Sequence, residues 1–204
     1  MIARDALQFL IPLILLMTGA FWLHSLALGV VFLILASFVA FFFRNPRRSI
    51  PTDPSVIVSP ADGKVVKIER VGNVTKMSIF LSLFNVHVNR SPIGGTIEAV
   101  DYRKGSFKAA YNHSASIENE RNVVMVSDGR IKLVFTQIAG VVARRIVFWK
   151  HVGDRVQKGE LVGLIRFGSR VDILFPAGTE VSVAVGDRVR GGSSPIGVIL
   201  NKNG

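Results

Sequence analysis

The sequence predicts a mostly β, antiparallel domain that follows an N-terminal α-helical membrane hairpin. Near the N-terminus, the chain from Ala6 to Phe43 contains no Asp, Glu, Lys or Arg. From Ser55 onward, short β-branched runs alternate with Gly, Asp and Asn turns, a pattern typical of strands. The 204 residues therefore divide into a hydrophobic hairpin with a basic exit, residues 1–48, and a β-rich domain, residues 49–204.

The charge-free run is long enough for two short membrane helices. Its 38 residues would extend as one helix by roughly 57 Å, nearly twice the thickness of a hydrocarbon core of about 30 Å. The apolar character weakens near His24 and Ser25, so we predict one helix from Leu7 to Leu23 and a second from Leu26 to Phe43. Two crossings are favoured, and a hairpin that dips into the bilayer without crossing remains an alternative.

Basic residues flank the apolar run at both ends. Arg4 precedes it, and Arg44, Arg47 and Arg48 follow it. Since positive charge stays on the cytoplasmic side, both ends are expected there, with the turn outside. A cleaved signal peptide fits poorly because the run ends in phenylalanines rather than in small residues. We therefore predict the cell membrane as the location, with the β-rich domain on its cytoplasmic side.

Composition excludes several classes of site and partner. The chain has no cysteine, which excludes disulfides, thiolate metal sites and a cysteine nucleophile. No paired-histidine zinc pattern and no glycine-rich phosphate loop is present, so no metal is predicted. The net charge of +11 indicates an anionic partner. Beside a membrane hairpin, anionic lipid explains this charge more simply than nucleic acid, and no nucleic acid is predicted.

The β-rich domain contains two hairpin signals and one internal repeat. Asp62-Gly63 and Asp128-Gly129 each stand between strand-like runs. The segment VGDRVQKGELVGLI, residues 152–165, returns 33 positions later as VGDRVRGGSSPIGVI, residues 185–199, with one residue inserted. Paired hairpins of this kind form the barrel-sandwich of lipoyl and biotinyl carrier domains. A non-catalytic lipoyl-like membrane adaptor is therefore one hypothesis, although Lys158 lacks the neighbouring methionine of a carrier lysine.

Three polar residues are candidates for chemistry, and each also has an ordinary structural explanation. His87 lies in an apolar strand in phase with Asn85 and Asn89, which indicates either a solvated face or a cleft. Asp62 is by default a turn aspartate. Ser169 follows Gly168 at a break between two strand-like runs. Residue types alone leave open whether this membrane-anchored β-rich domain is an enzyme.

Five motifs in order along the chain resemble the short form of the phosphatidylserine decarboxylase family. The resemblance covers essentially the whole sequence, and a set of five motifs is far more specific than any one of them. The motifs are SPADG at 59–63, FLSLFNVHVNRSP at 80–92, ENERN at 118–122, IAGVVARRIV at 138–147 and GLIRFGSRVD at 163–172.

The resemblance implies a proenzyme that makes its own pyruvoyl cofactor. Ser169 would attack the carbonyl carbon of Gly168, and cleavage between them would give a β chain of residues 1–168 and an α chain of residues 169–204 that stay associated. His87 would be the base and Asp62 would hold its tautomer. The pyruvoyl group formed from Ser169 would take the substrate amine as a Schiff base, so that phosphatidylserine loses CO2 and becomes phosphatidylethanolamine. The implied partners are a phospholipid substrate and the membrane.

The resemblance leaves several points open. A second histidine of the long-form enzymes corresponds to Phe84, and His113 is a substitute candidate. An ether-lipid substrate, archaetidylserine, is an alternative because nothing in the sequence distinguishes ester-linked from ether-linked lipid chains. A homo-oligomer also remains open. The arginine that binds the lipid phosphate is undecided among Arg90, Arg144, Arg145 and Arg166.

Overall fold

The computed structural model describes residues 2–105, 119–140, 145–166 and 169–200. Its internal contacts divide the chain into two units, Met1–Arg47 and Arg48–Gly204. The predicted Gly168, His113 and Arg144 lie outside the described residues. The predicted cut between residues 168 and 169 stays a prediction.

The first unit is a pair of antiparallel helices, α1 (Leu7–Trp22) and α2 (Leu26–Phe42), preceded by a 3-10 turn at Arg4–Ala6. These bounds agree within one residue with the predicted helices. His24 makes the turn between them with a positive φ of 58°. The backbone N–H of Ala3 donates to the carbonyl of Phe43 at 2.8 Å, which ties the two ends of the hairpin together.

The helices pack through small residues and expose large apolar side chains. The Cα of Gly29 approaches the ring of Phe21 so closely that an added Cβ would lie 2.4 Å from it. Close approach at small residues is typical of membrane helices, while outward apolar side chains suit lipid. Among the described residues, the stretch Arg4–Trp22 is long and apolar enough to cross a membrane, and Leu26–Phe42 is shorter. Two crossings remain a prediction.

The described part of the second unit is built from strands. Their bounds are β1 (Val56–Val58), β2 (Gly63–Val71), β3 (Val74–Leu81), β4 (Val88–Arg90), β5 (Gly95–Arg103), β6 (Arg121–Ser127), β7 (Lys132–Ala139), β8 (Ile146–Phe148), β9 (Arg155–Val156), β10 (Leu161–Ile165), β11 (Ser169–Phe175), β12 (Thr179–Val181), β13 (Arg188–Val189) and β14 (Pro195–Ile199). The predicted mostly β class is confirmed.

The strands form one large sheet and two small ones. The eight-stranded sheet, in the order β13-β2-β3-β11-β7-β6-β5-β9, curls into a half-barrel. The two three-stranded sheets have the orders β1-β14-β12 and β4-β10-β8. All the pairings between the described strands are antiparallel. Successive side chains of a strand point to opposite faces of its sheet, and most residues of β11 are buried on both faces. Strand β11, which begins at Ser169, lies in the middle of the large sheet between β3 and β7.

One of the two predicted hairpin turns is wrong. Asp128-Gly129 joins the paired strands β6 and β7, and Gly129 has a φ of +86°, as expected of a turn. The flanking strands at Asp62-Gly63 do not pair with each other, because β1 pairs with β14 and β2 pairs with β3. Gly63 is required for another reason. An added Cβ there would lie 2.3 Å from the carbonyl oxygen of Phe80.

The sequence repeat is also a structural repeat. In the first copy, the N–H of Gly153 donates to the carbonyl of Ile97 at 2.8 Å. In the second copy, the N–H of Gly186 donates to the carbonyl of Val65, also at 2.8 Å. Each copy then continues from a two-residue strand into a five-residue strand. The predicted repeat of residues 152–165 and 185–199 is therefore present in the fold, but its copies are not hairpins. In the first copy β9 pairs with β5 and β10 pairs with β4 and β8. In the second copy β13 pairs with β2 and β14 pairs with β1 and β12.

The repeat extends to a pair of upstream turns that sequence analysis missed. Residues 59–63 (SPADG) and 91–95 (SPIGG) are 32 positions apart. The hydroxyl of Ser59 donates to the carbonyl of Ala61 at 2.6 Å, and the hydroxyl of Ser91 donates to that of Ile93 at 2.6 Å. Only Ser, Pro and the final Gly are shared, too few to stand out in the sequence. The fold therefore holds two related units, each made of a turn and a pair of short strands, whose side chains differ.

Candidate functional site

Ser169 is the first residue of β11 and is fully buried. It lies opposite Leu81 of β3 on one side and opposite Ala139 of β7 on the other. Its side chain is 0% exposed, and its Oγ has no hydrogen-bond partner among the described residues. Buried polar atoms are nearly always hydrogen-bonded, so an orphaned hydroxyl in a core requires an explanation.

His87 is buried and held by backbone contacts on both sides. Its side chain is 2% exposed, and its Nδ1 lies 2.9 Å from the carbonyl oxygen of Asn85. A carbonyl can only accept, so in the neutral ring Nδ1 carries the proton and Nε2 is the basic nitrogen. The carbonyl of His87 accepts from the N–H of Ile165 at 3.2 Å. That hydrogen bond holds the backbone of His87 beside Ile165, the last residue of β10.

A compact turn positions the carbonyl that orients His87. The carboxamide oxygen of Asn85 accepts from the backbone N–H of Ser82 at 2.8 Å and from its hydroxyl at 2.7 Å. These bonds close residues 82–85 into a defined loop between β3 and β4. Asn85, which the sequence places in phase with His87, therefore orients the His87 ring with its backbone carbonyl, and its side chain holds that carbonyl in place by closing the turn.

Two chain connections bring His87 and Ser169 to the same end of the large sheet. Ser169 pairs with Leu81, the last residue of β3, from which the loop leads to His87. Ile165, which bonds to the backbone of His87, stands four positions before Ser169. Because Ser169 Oγ has no partner within the described residues, no hydrogen bond joins it to His87 in this uncut chain.

Asp62 contacts other groups. Its two carboxylate oxygens accept from Nη2 of Arg48 at 2.7 and 2.8 Å, and Oδ1 also accepts from the backbone N–H of Gly191 at 2.8 Å. The Nδ1 of His87, which Asp62 was expected to hold, is bonded to Asn85. A direct role of Asp62 on the tautomer of His87 stays a prediction.

A buried arginine, Arg90, lies close to the half-buried Arg48–Asp62 pair. Nη1 of Arg90 donates to the carbonyl of Gly159 at 2.8 Å, and an added Cβ on Gly192 would lie 2.7 Å from its Cδ. Burial lowers the pKa of Arg90, the positive charge of Arg48 lowers it further, and Asp62 partly offsets both effects. The cluster thus holds two guanidinium groups against one carboxylate.

A chain of three buried amides links the strand after His87 to the strand beside Ser169. Asn122 Nδ2 donates to Gln137 Oε1 at 3.0 Å, and Gln137 Nε2 donates to Asn89 Oδ1 at 2.9 Å. Gln137 lies two residues before Ala139, on the same face of β7, so it is a diagonal neighbour of Ser169. Among these three amide residues, the sequence pattern indicates only Asn89, because it lies in phase with His87 on the same strand.

The charged flank of Ser169 forms an ion cluster that the sequence did not reveal. Arg170 donates to Asp172 from Nε at 2.6 Å and from Nη2 at 3.0 Å, and Lys76 Nζ lies 3.0 Å from the same carboxylate. Burial alone would raise the pKa of Asp172, but the hydrogen bond and charge of Arg170, with Lys76, lower it overall. The residue directly after Ser169 is thereby held in place.

A cavity of about 940 Å³ opens beside Asp62. Its lining combines basic, hydroxyl and apolar groups from the second repeat copy and from the loop before His87. The lining includes Lys64, Phe80, Phe84, Asn85, Arg188 and Arg190. Among the described residues, no group of three His, Asp or Glu side chains could hold a metal ion.

Comparison with known proteins identifies the family. The model of the family described as phosphatidylserine decarboxylase matches residues 35–197. A protein of Solibacter usitatus named phosphatidylserine decarboxylase proenzyme is 48% identical over 181 residues, 89% of this chain and 88% of that one. One of Symbiobacterium thermophilum with the same name is 44% identical over 204 residues, 96% of this chain and 94% of that one.

The family model spans the β half-barrel with its buried serine and histidine, and the matches define a phospholipid-decarboxylating class of enzyme. The chain belongs to the phosphatidylserine decarboxylase family. The relatives are named as proenzymes, which implies a processed chain. The archaetidylserine and lipoyl-like adaptor alternatives are not favoured.

Proposed function

We propose that this chain converts phosphatidylserine to phosphatidylethanolamine and CO2 with a pyruvoyl group that it makes from Ser169. The observation that carries the proposal is the buried Ser169 hydroxyl without a hydrogen-bond partner among the described residues. A buried serine with a purely structural role would be expected to donate a hydrogen bond from its hydroxyl to a neighbouring group, as Ser59 and Ser91 do. A reacting serine needs its oxygen available, so the residue fits the precursor of the group.

Self-processing begins at the bond before Ser169. Its oxygen attacks the carbonyl carbon of Gly168, and the amide becomes an ester with a free amine on residue 169. Loss of the proton on Cα of residue 169 then breaks the bond between its Cβ and the ester oxygen. Residues 1–168 leave with a C-terminal carboxylate, and a dehydroalanine remains at position 169. Water replaces its nitrogen, ammonia departs, and the pyruvoyl group remains at the new N-terminus.

His87 is the proposed base for this sequence. The carbonyl of Asn85 holds the proton on Nδ1, so Nε2 is the nitrogen that can accept one. The backbone bond to Ile165 keeps the ring near the end of the strand that precedes the cut. In turnover, the same nitrogen would return a proton to the substrate carbon after CO2 leaves.

The surrounding strands keep the two products of the cut together. β11 pairs with β3 and β7, and β14 pairs with β1, so strands of the two proposed products are already hydrogen-bonded to each other before the cut. When formed, the pyruvoyl group supplies an electron sink for the carbanion that decarboxylation leaves. The fully buried position of residue 169 excludes bulk water from that carbanion.

The test of the proposal is the intact mass of Ser169→Ala beside the unmodified chain. We expect two fragments from the unmodified chain, one beginning at residue 169 with a keto-bearing N-terminus, and one uncut inactive chain from the variant. Ser193→Ala is the matched control, since Gly192-Ser193 is another Gly-Ser pair, and it should be cut normally. An uncut but active unmodified chain, or a cut Ser169→Ala chain, would overturn the proposal.

A further inference from the structure

The geometry points to a second membrane contact, made by the β unit itself. We define the docking face as the loop tip Leu83–Phe84 together with the side chains of Lys64, Arg188 and Arg190. The partner is the surface of an anionic lipid bilayer. This inference deepens the proposed function and rests on it for the identity of the substrate.

The tip of the docking face is apolar and exposed. Phe84 is 75% exposed and Leu83 is 41% exposed, and both stand in the turn that Asn85 closes against Ser82. The tight turn holds the two side chains outward at little further entropic cost. Exposed aromatic and aliphatic side chains next to basic ones are typical of surfaces that enter the lipid interface.

The basic residues surround the same cavity as Phe84. Lys64, Arg188, Arg190 and Phe84 all line it. Arg188 lies opposite Lys64, and Lys64 lies opposite Phe80, so these side chains form one row across three adjacent strands. All three basic side chains are exposed, and within the described residues none has a carboxylate partner. Three uncompensated positive charges around one cavity favour lipid phosphates.

The structural repeat supplies an internal comparison. In the other copy, Thr96 takes the place of Lys64 and Gln157 that of Arg190, while Arg155 corresponds to Arg188. The pocket there, of about 740 Å³, is also lined by Glu98 and Glu160, each paired with a lysine. The same backbone thus folds without the basic cluster. The charge of the docking face is therefore not needed for the fold, which leaves binding as its reason.

Chain connectivity favours a bilayer over another anionic partner. The charge-free run ends at Phe43, and Arg48, the first residue of the second unit, already bonds to Asp62. Asp62 lines the same cavity as the basic row. The second unit therefore begins, at Arg48, beside the docking face. A bilayer seated on that face would also contact the turn whose Asn85 carbonyl orients His87.

The absence of cysteine makes the docking face directly testable. Phe84→Cys, labelled with an environment-sensitive fluorophore in the full chain, is compared in vesicles of phosphatidylglycerol and phosphatidylcholine with Val152→Cys. Val152 is 60% exposed and lies in a turn of the other repeat copy. We expect the label at residue 84, but not at 152, to shift to the blue and to be quenched by nitroxide lipids. Leu83→Cys is the second probe and should behave like Phe84→Cys.

Charge removal gives the matched comparison. Arg188→Gln should lower the ratio of docked to undocked label about fivefold per charge removed, whereas Arg155→Gln in the other copy should not. Raising NaCl to about 1 M should undock the label because the Debye length falls to roughly 3 Å. Equal signals at residues 84 and 152, or equal effects of the two arginine variants, would overturn the inference.

The docking readout is independent of catalysis. The same labels in a Ser169→Ala chain report docking in a protein that is expected to remain uncut. If the unmodified chain docks but does not decarboxylate phosphatidylserine, only the proposed function is overturned. If it decarboxylates the lipid but does not dock, only the docking face is overturned.

Discussion

Nδ1 of His87 lies 2.9 Å from the backbone carbonyl oxygen of Asn85, two residues earlier in the chain. A backbone carbonyl cannot take up a proton under ordinary conditions, so it fixes the tautomer without competing for the charge. The orientation of the ring is therefore built into the loop between β3 and β4. The loop is in turn closed by the bonds of Asn85 to Ser82.

His87→Gln should slow cleavage at residue 169 by about 10² to 10⁴, the usual contribution of a positioned base. Glutamine fills a similar volume but cannot accept the serine proton, so folding should be largely kept. The time course of the two fragments by intact mass is the measurement. Cleavage of His87→Gln at the original rate would show that another group is the base.

Asp62→Asn and Arg48→Gln separate two roles of Asp62. If its function is the ion pair with Arg48, both variants should lose about 2 kcal/mol of unfolding free energy and the double variant little more. If Asp62 also acts on His87, Asp62→Asn should slow cleavage while Arg48→Gln does not. We expect the shared stability loss from the contacts, and the cleavage rates of the two single variants decide the catalytic part.

Asp172→Asn should weaken the dependence of the free energy of unfolding on pH at acidic pH. The pKa of Asp172 is lowered in the folded chain, so its ion pairs contribute stability above the unfolded-state pKa of about 3.9. That contribution is lost as the pH falls through the folded pKa. At pH 7 the variant should therefore be less stable, on the order of 3 kcal/mol for a broken buried pair.

The difference between Asp172→Asn and the unmodified chain should shrink as the pH falls below about 4. Denaturant unfolding at a series of pH values gives this comparison. Asp101→Asn is the control, because its pair with Arg103 is exposed and should contribute little. A difference that stays constant down to low pH would contradict the assignment.

Gln137→Leu should destabilise the second unit by about 2 to 4 kcal/mol. The substitution leaves the amides of Asn89 and Asn122 buried without their shared partner. Adding Asn122→Leu should restore part of the loss, since removing both polar partners costs less than orphaning one. Denaturant midpoints of the single and double variants test this. A double variant with fully additive losses would mean that the two amides do not act as one chain.

Much of the architecture could be predicted because its causes are local. The turn at His24 and the helix bounds follow from a charge-free run and its interruption. The β class and the repeat of residues 152–165 follow from alternating apolar residues and glycine turns. Gly153 and Gly159 have φ values of 94° and 75°, a backbone conformation that is strained for residues other than glycine. Their counterparts 33 positions later, Gly186 and Gly192, also have positive φ values.

The contacts of the site could not be predicted because they join distant segments. Nothing near Asp62 indicates that its carboxylate meets Arg48, or that Gly63 starts a strand instead of turning back. The partners of Gln137 come from strands 15 and 48 positions away. Such pairs depend on which strands meet and in which register, a property of the whole sheet.

The sequence by itself determined the apolar hairpin, the β-rich class, the repeat and, through five ordered motifs, the family. Those features are recorded in residue type and spacing, which need no folded chain to be read. Only the tertiary structure decided that the Ser169 hydroxyl is buried without a described partner and that His87 is oriented by Asn85. It also gathered Lys64, Arg188 and Arg190 around one cavity with Phe84. Burial and strand register cause these arrangements, and both arise only when distant segments pack.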